Sequence, residues 1–201
     1  RGTWAGGGAP LATTRPGPST TLGMTSPYLL VADKPADKPD PAAHYFGEVE
    51  LVDQNGATQR LYSDLLKDHT VVIYTFFATC AGACPVMTGK FESLQKDLGD
   101  RIGKDLRILS ISVEPEKDTP AALKAYAGKY HAKPGWYFLT GKKENVDAAL
   151  RKLGQYVDDP SNHLNVVLIG NNRTGLWKKA FGLASAEELL KVINSVLDDN
   201  G

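Results

Sequence analysis

The apolar run Thr70-Val71-Val72-Ile73-Tyr74-Thr75-Phe76-Phe77 passes directly into Cys80-Ala81-Gly82-Ala83-Cys84-Pro85, which holds the only two cysteines in 201 residues. A continuous β-branched and aromatic run of this length predicts a strand buried on both faces, and such strands belong to sheets with helices on either side. Beyond the cysteines Met87, Phe91, Leu94 and Leu98 recur at helical spacing from about Pro85, and Gly99 stops the helix. The chain is therefore built around a strand, a cysteine loop and a helix in immediate succession.

Further elements alternate around that unit. Glu48 to Val52 and Thr58 to Leu61 flank Asn55-Gly56, the signal of a tight hairpin. Leu106 to Val113 reads as a second core strand. The helix after it runs to about Tyr130, with Asp118 or Thr119 as its cap and Pro120 in its first turn. Trp136 to Leu139 is a third strand, followed by a helix from about Lys143 to Leu153. Leu164 to Ile169 and Leu176 to Ala180 read as a late β-hairpin. The last helix opens on the capping box Ser185-Ala186-Glu187-Glu188. The pattern predicts an α/β fold with a mixed central sheet, helices on both faces, an N-terminal hairpin and a late β-hairpin. The cysteine loop then falls at the carboxyl end of a central strand, where open α/β sheets carry their sites.

Residues 1 to 43 differ in kind. They are rich in Gly, Pro, Ser, Thr and Ala, contain the near-repeat Ala32-Asp33-Lys34-Pro35-Ala36-Asp37-Lys38-Pro39, and have one short apolar patch, Tyr28 to Val31. A segment so poor in burial surface reads as a flexible arm, with the folded domain spanning 44 to 201. No apolar run reaches the ~18 to 20 residues that cross a bilayer. With 23 basic and 23 acidic residues the chain has no net charge, which argues against nucleic acid as a partner and favours a monomer.

Two thiols with three residues between them close too short a loop to act as a structural staple, so they mark a working site for soft-metal binding, dithiol exchange or both. A thiol at a helix N-terminus meets free backbone N–H groups and the positive end of the dipole, which favours its thiolate. Cys80, just ahead of the helix, is expected to be the more exposed. Of the four histidines, His163 sits just before the hairpin strand, where its loop can reach the cysteines, and an imidazole beside two thiolates suits copper. His44, His69 and His131 read as solvent or structural residues, and Met87 as core. Peroxidase chemistry is disfavoured, because Phe77 and Ala81 stand where a hydroxyl residue would be required.

The strings Tyr74-Thr75-Phe76-Phe77-Ala78-Thr79-Cys80-Ala81-Gly82-Ala83-Cys84-Pro85, Ser112-Val113-Glu114-Pro115-Glu116-Lys117-Asp118-Thr119-Pro120 and Pro134-Gly135-Trp136-Tyr137-Phe138-Leu139-Thr140-Gly141, with the late His163, resemble the Sco/SenC family over roughly Phe46 to Leu197. The resemblance implies a thioredoxin-like fold. It also implies that Cys80, Cys84 and His163 bind one copper, Cu(I) or Cu(II), per chain, and that the Cys80/Cys84 pair cycles between dithiol and disulfide. The implied role is a metallochaperone delivering copper to the copper-A subunit of cytochrome c oxidase, or to another extracytoplasmic copper protein. The alternative is a thiol-disulfide oxidoreductase that carries no copper. Family members usually sit in the bacterial periplasm, or in the mitochondrial intermembrane space, on an N-terminal membrane anchor that this chain does not include. The pattern departs in three places: Ala81-Gly82-Ala83 lacks the acidic residue often found between the cysteines, the stretch from Cys84 to His163 is somewhat short, and Asn162 precedes the late histidine where members usually carry Asp, leaving open what orients the imidazole.

Overall fold

The computed structural model describes residues 40 to 201; the expected arm up to residue 39, including Tyr28 to Val31, lies outside the described residues. Seven strands form one mixed sheet: β1 (Glu50–Asp53), β2 (Thr58–Arg60), β3 (Thr70–Phe76), β4 (Leu106–Ser112), β5 (Trp136–Thr140), β6 (Val166–Asn171) and β7 (Leu176–Phe181). Their spatial order is β2-β1-β5-β4-β3-β6-β7. The central trio β3, β4 and β5 is parallel, while β1 and β6 join it antiparallel from either side. Both predicted hairpins are present, β1–β2 at one edge and β6–β7 at the other.

The period of two along β3 divides the core. Val72, Tyr74 and Phe76 face one side of the sheet, under α2 (Ala83–Leu98), α3 (Pro120–Lys129) and α5 (Ala186–Leu197), while Val71 and Ile73 face the other, under α1 (Pro41–Phe46) and α4 (Lys143–Lys152). Every residue of β3 is buried, as its unbroken apolar run requires. On the first side the Tyr74 ring stacks on Phe91 of α2 with centroids 4.8 Å apart, worth about 1 kcal/mol beyond simple area burial. That contact fixes the helix behind the cysteines against the strand in front of them.

Two features differ from the expectation. Residues 41 to 43, read as the end of the arm, are the first half of α1: Asp40 caps the helix by accepting from the Ala42 N–H and also accepts a hydrogen bond from the Tyr62 hydroxyl, and Phe46 packs its ring against Trp177, 5.6 Å between centroids. Such a short helix is held by tertiary contacts that a Pro- and Ala-rich window does not advertise. Second, Leu61, read as the end of a strand, opens one wide helical turn, Leu61–Leu66, closed by the Lys67 N–H on the Tyr62 carbonyl.

Gly170 shows how tightly the β6–β7 hairpin is packed. A Cβ built there would stand 2.5 Å from three ring atoms of Trp177, so the indole lies flat on bare backbone. Gly170→Ala is expected to displace Trp177 and loosen α1 through Phe46, costing about 2 kcal/mol. Chemical denaturation checks the cost, and an unchanged midpoint with Trp177 fluorescence unaltered would refute the packing argument.

Candidate metal centre

β3 ends at Phe76, and the next six residues form the cysteine loop before α2 begins at Ala83. The helix therefore starts two residues earlier than its apolar spacing suggests, and Cys84 lies inside its first turn. Both cysteines are free thiols. Cys84 is fully buried and Cys80 partly exposed, as expected. The thiolate that a helix N-terminus favours is not what the surroundings of Cys84 favour: burial first, and then the neighbouring Cys80 thiol, push the Cys84 thiol well above its ordinary range, against the pull of the Phe77 N–H. Desolvation outweighs the helix terminus because Cys84 belongs to the same apolar cluster as Met87 and Phe91.

His163 meets this thiol. A short turn, Pro160–Asn162, capped by the Asp159 carboxylate on the Ser161 N–H, delivers the imidazole so that Nε2 lies 3.4 Å from Cys84 Sγ. Nδ1 lies 2.9 Å from the Pro160 carbonyl. A carbonyl only accepts, so Nδ1 carries a proton and Nε2 is the ring nitrogen turned to the sulfur. The missing carboxylate at position 162 is thus replaced by a backbone oxygen. Phe77 sets its ring edge to face against the imidazole at 5.6 Å, walling one side. Among the described residues no three His, Cys, Asp or Glu side chains are gathered tightly enough to enclose an ion. Cys84 and His163 form a ready pair, and Cys80 waits on the loop beside them.

The other histidines stay away, as expected. His131 pairs with Glu92 at 2.6 Å on the surface, the His69 ring lies against the Lys67 carbonyl, and His44 is exposed on α1.

One residue that matters here was read in sequence only as a possible helix cap. Thr119 caps α3, accepting from the Ala122 N–H, while Asp118 turns inward and is 1% exposed. Its carboxylate accepts from the Ala78 N–H, at 3.1 and 3.2 Å to its two oxygens, and from the Ser112 hydroxyl at 2.6 Å. It thereby ties the base of the cysteine loop to the end of β4. Burial pushes this carboxyl above the usual range, its hydrogen bonds pulling the other way. The only sequence signal was a second capping residue directly before Thr119.

The SCO1/SenC family profile matches residues 37–197. This chain belongs to the SCO1/SenC family. Over 197 residues it is 28% identical to the SCO2-like protein RC0895 of Rickettsia conorii, spanning 88% of this chain and 93% of that one. A putative copper-binding protein of Stutzerimonas stutzeri is 31% identical over 107 residues, 53% of this chain and 50% of its own. The solved structure of BsSco, a Sco-family cytochrome c oxidase assembly protein with a disulfide switch, superposes with a TM-score of 0.62 at 26% identity, covering 76% of this chain and 93% of that one. The thioredoxin-like fold of the Sco proteins is accordingly the fold of this chain.

Proposed function

We propose that this SCO1/SenC protein carries one copper ion on Cys80, Cys84 and His163 and hands it to the copper-A subunit of cytochrome c oxidase or another extracytoplasmic copper protein. The observation that carries this reading is the imidazole: its Nε2 faces a buried sulfur at 3.4 Å and its Nδ1 is fixed by a carbonyl. That is how a ligand histidine is held. Two thiols and an imidazole form a soft donor set suited to Cu(I), and the same set serves Cu(II) with one added ligand. Cys84 and His163 stand ready, and the loop carries Cys80 inward to complete the set on loading. Cys84 gives up its proton as copper binds. The copper-binding relative and the oxidase-assembly structure support the same reading. The role puts the domain outside the cytoplasm, as a monomer tethered by its N-terminal arm.

The free, unequally exposed thiols favour a second reading as well. The Cys80 thiolate attacks a partner disulfide and releases one partner thiol. Cys84 then displaces the other, leaving a Cys80–Cys84 disulfide here and a reduced dithiol on the partner, a balanced two-electron exchange.

An anaerobic competition titration of the reduced protein with Cu(I) and a chelator separates the two. Wild type is expected to bind one copper, and His163→Ala to bind it about 100-fold more weakly. Equal, weak binding by both would sink the carrier reading and leave dithiol exchange.

A further inference from the structure

Among the described residues five large apolar side chains are exposed, and four of them, Val86, Leu164, Phe181 and Leu183, lie on the three segments that are joined beside the metal centre. Lone surface hydrophobes are ordinary, but a cluster at one site is not. Val86 follows Cys84 by two residues in α2, and Leu164 follows His163 directly. Phe181 pairs with Val166 across the β6–β7 hairpin, and the Gly182 N–H donates to the Asn165 carbonyl at 2.8 Å. The Met87 sulfur packs so closely on Gly182 that a Cβ there would stand 2.4 Å from it. Lys90 of α2 turns its ammonium under the same loop, donating to the Gly182 and Ala184 carbonyls at 3.1 and 2.5 Å. The three segments are thus joined around Cys84 and His163.

They also share a composition. Residues 77 to 86, 160 to 166 and 180 to 186 contain no Asp, Glu, Lys or Arg, in a chain whose residues are 23% charged. Phe181 is 59% exposed and Val86 58%, so this apolar surface lies open.

We propose that Val86, Leu164, Phe181 and Leu183 are the docking face for the copper-accepting protein, and that this acceptor surrounds its own thiolate or imidazole ligands with an equally uncharged, apolar rim. The inference rests on the carrier reading above. Transfer by ligand exchange requires the acceptor's donor atoms to reach a metal held beside a buried sulfur, so its surface must cover this collar. An apolar rim gains by being buried, whereas a charged one would have to be desolvated. Each copper–sulfur bond broken at this site is matched by one formed on the acceptor. The proton leaving the acceptor thiol returns to the released cysteine, and copper keeps its oxidation state. With no charge within the three segments themselves, the contact gains little from steering and depends little on salt.

The test follows transfer from the Cu(I)-loaded full chain to the apo copper-A domain of cytochrome c oxidase, comparing wild type, Phe181→Asp, Leu164→Asp and, as a remote control, Tyr45→Asp on α1. Transfer to a small-molecule Cu(I) chelator is measured in parallel, and melting confirms that each variant is folded. The two collar variants are expected to deliver to the domain at least about tenfold more slowly, with chelator transfer and the control unchanged. Wild-type transfer should vary less than about twofold between about 0.05 and 0.3 M salt. Loaded collar variants that deliver as fast as wild type, or a steep salt dependence, overturn the docking face while leaving the carrier reading intact. A wild type that never loads copper overturns both.

Discussion

Cys84→Ser is expected to lower Cu(I) affinity by about a thousandfold or more, roughly 4 kcal/mol. Serine keeps the shape of the side chain and removes its softness: a hydroxyl does not ionise at neutral pH, and its oxygen is a poor donor to a soft cation. The loss exceeds that of His163→Ala because Cys84 is the fully buried member of the ready pair, so no water enters to take its place. The fold should survive. The new hydroxyl lies beside His163 Nε2 and can hydrogen-bond with it, holding the stability cost to about 1 kcal/mol. Competition titration and thermal melting read the two effects separately. A serine variant that holds copper as tightly as wild type would mean that the metal sits elsewhere.

Asp118→Ala is expected to be the most damaging change that touches no ligand. It strands the Ala78 N–H and the Ser112 hydroxyl, and it removes the tie between the cysteine loop and β4. Stability should fall by about 3 kcal/mol, and copper affinity by about tenfold as Cys80 loses its anchored base. Asp118→Asn retains one acceptor oxygen and should lose about half as much. Titration adds a signature. Because the folded carboxyl is pushed up by burial, Asp118 holds its proton more readily folded than unfolded. Its contribution is therefore complete in acid, below the ordinary carboxylate value, and declines as pH rises through the raised folded value. The stability lead of wild type over Asp118→Asn should shrink accordingly from acid towards neutral pH. Melting that drops while copper affinity holds would reduce Asp118 to a purely structural role.

The contrast between these residues shows what the chain makes legible. The core strands announce themselves because β3 is buried on both faces and so reads as an unbroken apolar run. The cysteine pair and His163 stand out in sequence because their side chains have few other uses in that pattern, and the fold brings Cys84 and His163 together. Asp118 was missed because its partners, Ala78 and Ser112, come from different elements, and capping chemistry alone points to its neighbour. The thiolate expected at the helix N-terminus is disfavoured at Cys84 for a related reason: the helix terminus is visible in sequence, the burial that overrides it is not. The first half of α1 was taken for arm since its stability comes from Trp177 and Tyr62, far along the chain. The collar around the site could be recognised only once the fold had brought its three uncharged segments together.

The hold of the Pro160 carbonyl on His163 has a consequence for how this site ages in evolution. An orienting carboxylate is a single side chain, and one mutation removes it. A main-chain oxygen survives every substitution that preserves the turn, so the histidine's bearing is inherited with the path of the backbone, and exposed Asn162 is free to drift. What selection must guard instead is Pro160 and the Asp159 cap that shapes the turn.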